Sequence, residues 1–392
     1  MPQSNVDYTT SPQSTKQENC LLSFCSFIPK MIELDGSLGE GGGALVRVAL
    51  ALSTLTEQEF KVINIRANRP EPGLKAQHLE AINALKQICD AETNEIKIGA
   101  TELYFKPGKI KRGIYEIDIG TAGSVSLVLQ ALVLPCMFAP GKVTLKIKGG
   151  TCGKWQASVY YLQNILIPHL HKFVDKIELK ILKPGYYPKG GGEVVLEITP
   201  RFNIHKFKFV EDFLKELKVA RIKLLEPGKL EQIRGVVNLS SELEEKEVGE
   251  RIKKSAGMAL KNFNVPVNIR AEYAKSLNIG GEIVLWALFS NNNQVDPDNP
   301  HILGSDALIE KNKSSEQVGK EAAEVLIKEI DHNNLVDHYL LDQLIPFMAL
   351  LPGSEIQASE ISEHAHTNIY VCKQFIPIVF KIVKNKISVE LR

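Results

Sequence analysis

The sequence predicts an α+β fold: a large domain of repeated α/β-like units, each a small sheet with two helices, and a smaller α+β domain inserted within it. Three observations predict this. Short β-branched strands alternate with helical runs, and Gly or Pro marks the joints. The same layout returns further along the chain, as repetition of one supersecondary unit would produce. Between residues 202 and 298 it gives way to a Lys-, Glu- and Leu-rich texture that suits a separate module.

The first unit opens with a strand at Met31–Leu34, passes through Asp35-Gly-Ser-Leu-Gly-Glu-Gly-Gly-Gly and enters a helix at Ala44–Leu55. A strand at Phe60–Ile65, the turn Arg66-Ala-Asn-Arg-Pro-Glu-Pro-Gly and a helix from Ala76 to Ile88 complete it. The second unit has a strand at Ile114–Ile119, the turn Gly120-Thr-Ala-Gly, a helix at Ser124–Phe138, a strand at Lys142–Ile147 and a helix from Ser158 to Phe173. The inserted module carries helical periodicity at Val210–Leu217 and Glu242–Asn262, with strands at Val219–Leu224, Gly235–Leu239, Val267–Ala271 and Glu282–Phe289. The polar exit Ser290-Asn-Asn-Asn-Gln marks its end, so the repeat domain is expected to span 31–201 and 299–392. After Leu308 a third, less complete unit is expected. It would have a helix at Gln317–Glu329, a helix at Tyr339–Leu351, a strand near Glu355–Ala358, a turn near Ser362–His366, and a helix or strand through Asn368–Phe375.

Residues 1–30 differ. The stretch Met1–Asn19 is rich in Ser, Thr and Gln, as a disordered extension would be. The apolar Leu21–Pro29 lacks the basic flank and cleavage site of a signal peptide. Met31 is therefore expected to be the functional first residue, or residues 1–30 a dispensable tail.

At 392 residues, 44% hydrophobic and 24% charged, the chain is ordinary globular protein. A formal charge of +1 excludes a global basic field, so any nucleic-acid partner must be gripped locally, for instance at its end. The six scattered cysteines form no CxxC pair, which argues against a disulfide framework or zinc knuckle and for a reducing cytoplasm. No apolar run approaches the ~20 residues of a membrane span.

Five motifs carry chemistry. The loop Gly39-Glu40-Gly41-Gly42-Gly43 exposes backbone N–H groups and opens a helix, which suits an anion. Arg47 lies one turn beyond, and the Glu40 carboxylate suits Mg²⁺ or Mn²⁺. A tight structural turn explains the glycines equally well. Arg66 and Arg69, with Gln77 beyond them, form a stiff cationic corner beside Pro70 and Pro72, suited to bidentate phosphate contacts or simply solvated. The hairpin Tyr186-Tyr-Pro-Lys-Gly-Gly-Gly-Glu193 could stack a base or hold a phosphate, and a structural turn is slightly the better reading. Tyr339, Asp342 and Gln343 fall on one helix face and need partners if buried, while Leu340 and Leu341 turn elsewhere. Finally, in His364-Ala-His366-Thr-Asn368 an extended backbone would put both rings on one side. That suits a weak metal pair or a nucleophilic imidazole, and the residues alone do not choose between the two histidines.

In order, these motifs resemble those of the RNA 3′-terminal phosphate cyclase family, archaeal members most. They are Asp35-Gly-Ser-Leu-Gly-Glu-Gly-Gly-Gly with Arg47, Ile65-Arg-Ala-Asn-Arg-Pro-Glu-Pro-Gly-Leu with Gln77, Gly120-Thr-Ala-Gly-Ser with Gln130, Gly185-Tyr-Tyr-Pro-Lys-Gly-Gly-Gly-Glu193, Asp342-Gln-Leu-Ile-Pro and His364-x-x-Thr-Asn. The resemblance covers roughly residues 31–390. It implies an enzyme that uses ATP, with Mg²⁺ or Mn²⁺, to convert an RNA 3′-phosphate into a 2′,3′-cyclic phosphate. It implies a covalent histidine–AMP species at His364 and ATP contacts at Gln130 and at Tyr339, Leu340, Leu341, Asp342 and Gln343. It also implies Glu40 near metal and phosphates, and Arg47, Arg66, Arg69 and Gln77 lining the site. The sequence departs from the family pattern at Cys152 after Gly149-Gly-Thr, at His366, and at Ala44. Two rival readings are a non-catalytic ribosome-biogenesis relative and an enolpyruvyl-transferase-like enzyme. The first would have lost the Glu-Gly-Gly-Gly loop and the histidine, and the second would need no histidine–AMP.

Overall fold

A computed structural model describes residues 31–291 and 294–392. The expectations for residues 1–30 lie outside the described residues.

The first unit runs β1 (Ile32–Asp35), α1 (Ala44–Thr56), β2 (Phe60–Ile63), α2 (Ala76–Cys89), β3 (Glu92–Thr93) and β4 (Leu103–Lys106). The second runs β5 (Gly113–Asp118), α3 (Val125–Cys136), β6 (Val143–Gly149), and a broken helix of α4 (Val159–Tyr161) and α5 (Ile167–Leu170) joined by one π-helical turn. It closes with β7 (Val174–Lys183) and β8 (Gly192–Pro200). Their sheets have the same topology. The orders are β1-β2-β4-β3 and β5-β6-β8-β7, with the first pair parallel and the other two antiparallel.

Next come α6 (Val210–Glu216), β9 (Lys223–Leu224), β10 (Lys229–Ser240), α7 (Val248–Leu260), β11 (Val267–Ala274), β12 (Gly281–Ser290), β13 (His301–Leu308) and α8 (Ser315–Asp331). The chain ends with α9 (Leu340–Ala349), β14 (Glu355–Gln357), α10 (Glu363–Phe375), β15 (Ile378–Val383) and β16 (Lys386–Leu391). Here the fold departs from the sequence expectation. The last sheet is ordered β15-β16-β14-β9, with β9 and β14 parallel and the remaining pairs antiparallel. This is the topology of the first two units, so the third repeat is complete. Its first strand precedes the inserted element and its first helix, α9, follows it.

The inserted sheet, β11-β10-β12-β13, takes in β13, and α8 packs against it, whereas the sequence pattern places both within the 299–392 part of the repeat domain. Conversely, α6 buries Phe213 and Leu214 in the core of the repeats. The reason is physical: a two-residue strand such as β9 has no periodicity of its own to read.

Burial follows the sequence pattern. Helix α1 is apolar almost all round and is buried along its length, as such helices must be. It packs against α2, α3 and α10, so helices from all three repeats meet around it. Strand β12 reads as a continuous apolar run because both faces are covered. Ile283, Leu285 and Ala287 face the inserted element's own core with α7 and α8, and Val284 and Trp286 face the core of the repeats.

One buried acid joins the parts. Asp337 Oδ1 accepts from the backbone N–H of Tyr339 (2.9 Å) and Leu340 (3.0 Å), capping α9, and from Tyr161 Oη (2.5 Å). Its Oδ2 accepts from Gly304 N on β13 (2.7 Å). Replacing Asp337 by Ala strands these donors in the interior. The expected cost is roughly 2–4 kcal/mol, read as a lowered midpoint in urea denaturation.

Candidate active site

The loop between β1 and α1 is held before any ligand arrives. Asp35 Oδ1 accepts from Ser37 N (3.0 Å), Ser37 Oγ (2.8 Å) and Asn64 Nδ2 (3.1 Å). Gly39 and Gly41 both adopt left-handed φ, 63° and 58°. A Cβ at Gly39 would collide with Thr367 Oγ1 on α10, and one at Gly41 with the side chain of Asn68. Only glycine meets both the conformational and the steric demand here.

This loop delivers Glu40 to the centre of the site. Glu40 Oε2 is ion-paired with Arg69 Nη2, and Oε1 lies 3.1 Å from His364 Nδ1. The His364 approach is at hydrogen-bond distance but out of alignment, so the contact is electrostatic. Burial opposes ionisation of Glu40, yet His364, Arg69 and Arg47 together outweigh it and its pKa is lowered. Reciprocally, the Glu40 carboxylate raises the pKa of His364 against partial burial. Nδ1 is shut away against Glu40, and the imidazole as a whole is 44% exposed. Nε2 is therefore the nitrogen presented to a ligand.

The segment carrying His364 is helical, which corrects the extended expectation. Ser362 caps α10, its Oγ accepting from Ala365 N at 3.0 Å. Two residues apart on a helix, His364 and His366 diverge by about 200°. His364 turns to Glu40, and His366 is exposed. The paired-metal reading of the two rings is thereby lost.

Arg47 is the buried charge of α1. Its Nε donates to Gln130 Oε1 on α3 at 2.8 Å. Burial pushes its pKa down to about 10, with Glu40 and Asp342 opposing the shift, so the guanidinium stays charged at neutral pH. Arg66 differs from Arg69. Its Nη1 donates to the carbonyls of Glu71 (2.6 Å) and Gly73 (3.2 Å), so it braces its own turn. Gln77 lies toward the turn at residues 120–124, its Oε1 3.7 Å from where a Cβ on Gly123 would stand.

Beside Arg47 lies a pocket of mainly apolar walls, including Val48, Leu129, Leu166 and Phe347, with Gln130, Asp342, Gln343 and Asn368 at its polar side. Gln343 Nε2 donates to Tyr339 O (2.9 Å), and Asn368 Nδ2 donates to Asp342 O (2.8 Å). Asp342 Oδ1, Gln343 Oε1 and Asn368 Oδ1 are buried and have no donor. Three orphaned acceptors in one pocket call for a ligand rich in hydroxyl or amino donors. Burial raises the pKa of Asp342 to about 6, with His364 and Arg47 acting against it. Tyr339 is half-buried with its ring edge-on to Tyr161, and the side chains of Leu340 and Leu341 are buried in the core away from the pocket.

Two residues were not singled out from sequence. His78 accepts from Lys75 N at Nδ1 (3.0 Å), so its proton sits on Nε2. That nitrogen is buried without a partner, next to Gly43 and Arg47 Nη1. Burial pushes its pKa down to about 3, which keeps it a neutral donor. Asn368 contributes an orphaned acceptor. The signal for both was their place inside the motifs, His78 directly after Gln77 and Asn368 closing His-x-x-Thr-Asn.

Residues 38–382 match the model of a family described as RNA 3′-terminal phosphate cyclase. Curated relatives bearing that name include one from Pyrococcus furiosus, 41% identical over 352 residues, covering 90% of this chain and 95% of the relative. Another, from Archaeoglobus fulgidus, is 39% identical over 364 residues, covering 92% and 100%. A third, from Methanopyrus kandleri, is 38% identical over 362 residues, covering 90% and 95%.

Two outcomes follow from the geometry. In Glu40→Gln the His364 pKa falls back toward the ordinary imidazole value, because the anion that favours its protonated form is gone. An NMR titration, with His364 assigned through His364→Ala, reads this. Arg69→Ala weakens binding of inorganic pyrophosphate with little change in melting temperature. Arg66→Ala also loses about 1 kcal/mol of stability, because two turn carbonyls lose their donor, and thermal denaturation separates the two variants.

Proposed function

The chain belongs to the RNA 3′-terminal phosphate cyclase family, and from that premise we propose that it converts an RNA 3′-phosphate to a 2′,3′-cyclic phosphate through a covalent adenylate on His364. The observation that carries this reading is the imidazole itself. Nδ1 is held against an anionic carboxylate while Nε2 is open, one helical turn from Asn368, which lines the pocket with three unsatisfied acceptors.

In this reading the apolar walls take the adenine of ATP, and the orphaned acceptors on Asp342, Gln343 and Asn368 receive its amino and hydroxyl donors. Gln130 keeps Arg47 aimed at the phosphates, and Arg69 and the His78 N–H add donors at the glycine loop. Nε2 of His364 attacks the α-phosphorus. The Nε2–P bond forms as the bond to the β-phosphate oxygen breaks, and pyrophosphate leaves. The proton on Nδ1 stays against Glu40, which offsets the positive charge growing on the ring. A terminal-phosphate oxygen of the RNA then displaces the imidazole from phosphorus and takes over AMP. Finally the adjacent 2′-oxygen attacks the 3′-phosphorus, losing its proton to solvent as AMP departs. Ring closure gains from proximity.

Glu40 is also suited to a divalent ion. Its Oε1 receives no aligned hydrogen bond, and Mg²⁺ commonly needs only one or two carboxylates when substrate phosphates supply the rest. Among the described residues no group of three or more His, Cys, Asp or Glu side chains is placed to hold an ion, so Mg²⁺ or Mn²⁺ would be shared between Glu40 and ATP. Such an ion would offset phosphate charge. The retained Glu-Gly-Gly-Gly loop and His364 argue against a non-catalytic role. An enolpyruvyl-transferase reading leaves the His364–Glu40 pair without a task. Among the described residues the cysteines are free, which suits a reducing cytoplasm, and no helix is long and apolar enough to cross a membrane.

Incubation with ATP labelled at the α-phosphate is expected to give acid-labile, alkali-stable labelling of the protein. The label is absent in His364→Ala and retained in His366→Ala. Labelling that persists in His364→Ala moves the nucleophile elsewhere.

A further inference from the structure

The hairpin between β7 and β8 has a function in docking, and part of it is left over. Tyr186 is buried, and its Oη donates to Asn238 Oδ1 on β10 at 2.7 Å. A Cβ at Gly191 would collide with Leu277 of the β11–β12 connection, and Lys189 N donates to Asn278 Oδ1 at 3.1 Å. Gly190 N closes the turn onto Tyr186 O at 2.9 Å. The first three of these contacts fasten the hairpin to the inserted element. They do not use the Tyr187 ring, which is 82% exposed, or the Lys189 ammonium.

The tip is also joined to the active site. A Cβ at Gly190 would stand 2.5 Å from Thr121 O, so the hairpin rests on the turn at residues 120–124. Gly123 of that turn borders Gln77, and His78, next along α2, borders Gly43 and Arg47. One short turn therefore separates the anchored segment that carries the exposed Tyr187 ring from the phosphate-binding corner. Lys189 and Lys275, on the two sides of the Leu277 contact, are exposed and form no ion pair among the described residues.

We infer that Tyr187 and Lys189 seat the RNA strand just 5′ of the terminal phosphate, the ring stacking a base and the ammonium meeting a backbone phosphate. This rests on the activity proposed above and goes beyond it by naming where the strand lies. Stacking on a tyrosine accepts any base, which suits an enzyme that acts on ends. A tip already fixed by four contacts loses little freedom on binding. A local site of this kind also answers the near-neutral charge of the chain, which provides no general attraction for RNA.

The test uses the full chain and a fluorescent ten-nucleotide RNA with a 3′-phosphate, its binding followed by anisotropy without ATP. Tyr187→Ala is expected to weaken binding about tenfold, and Tyr187→Phe to retain it. Lys189→Gln is expected to flatten the dependence of log affinity on log salt by about 0.7. A nucleoside 3′-phosphate, which has no strand to seat, is expected to compete equally well in wild type and variants. Unchanged affinity for the RNA in the double variant overturns the inference, as does an equal loss for the nucleoside 3′-phosphate. ATP labelling of His364 is read in parallel. Its absence in the unaltered protein counts against the proposed activity, while the anisotropy still decides the role of the tip.

Discussion

The site depends on one carboxylate held between a guanidinium and an imidazole. Glu40 stands on a loop of the first repeat, Arg69 on the next loop of that repeat, and His364 on the last helix of the third. A partly buried glutamate resists ionisation, and an arginine beside Arg47 and Arg66 is repelled. The Arg69 guanidinium offsets the Glu40 charge, and the carboxylate orients the imidazole. A charge network of this kind contributes chiefly to geometry, because burial offsets much of the Coulombic gain.

That geometry relies on what surrounds the loop. Gly39 touches α10 at Thr367 and Gly41 touches Asn68, so the backbone carrying Glu40 is clamped by the two elements that supply its partners. Helix α1 continues from the same loop into the centre of the molecule. Its apolar sequence forces burial and carries Arg47 into the interior, where Gln130 of the second repeat accepts from it. Three repeats with one topology thus contribute a loop, a glutamine and a histidine to one place. The arrangement is asymmetric because the residues at equivalent positions differ.

The inserted element interrupts the third repeat between its first strand and first helix, and its anchoring is correspondingly elaborate. Asp337 ties α9 to β13 and to Tyr161, and Tyr186 reaches from the second repeat to Asn238. Glu282 sits in the same region, accepting from Asn238 Nδ2 at 2.9 Å, with burial raising its pKa to about 8. The insertion is thus a bonded part of the molecule, and its β11–β12 connection helps to hold the hairpin tip near the site.

Much of this was legible in the residues. The glycine loop, the arginine corner, the helix of Tyr339–Gln343 and the histidine segment were all identifiable as chemistry, and apolar periodicity located most helices and strands. Two features were not legible. Strand β9 is too short to show a period, so its pairing with β14 across the insertion was hidden and the third repeat looked incomplete. The choice between His364 and His366 turned on whether their segment was extended or helical, and four residues around a histidine pair do not decide that.

Local residue types and spacing determined which groups could hold phosphate, donate a proton or act as a nucleophile. Only the tertiary structure decided which of them meet. Arg69 reaches Glu40 while Arg66 braces its own turn, and Gln130 serves Arg47 from another repeat. His78 became a buried, unpaired donor because α2 packs beneath Gly43. The physical reason is that hydrogen bonds and ion pairs depend on separations of a few ångströms between residues distant in the chain. Those separations are set by packing of the whole core, and no local stretch of sequence specifies them.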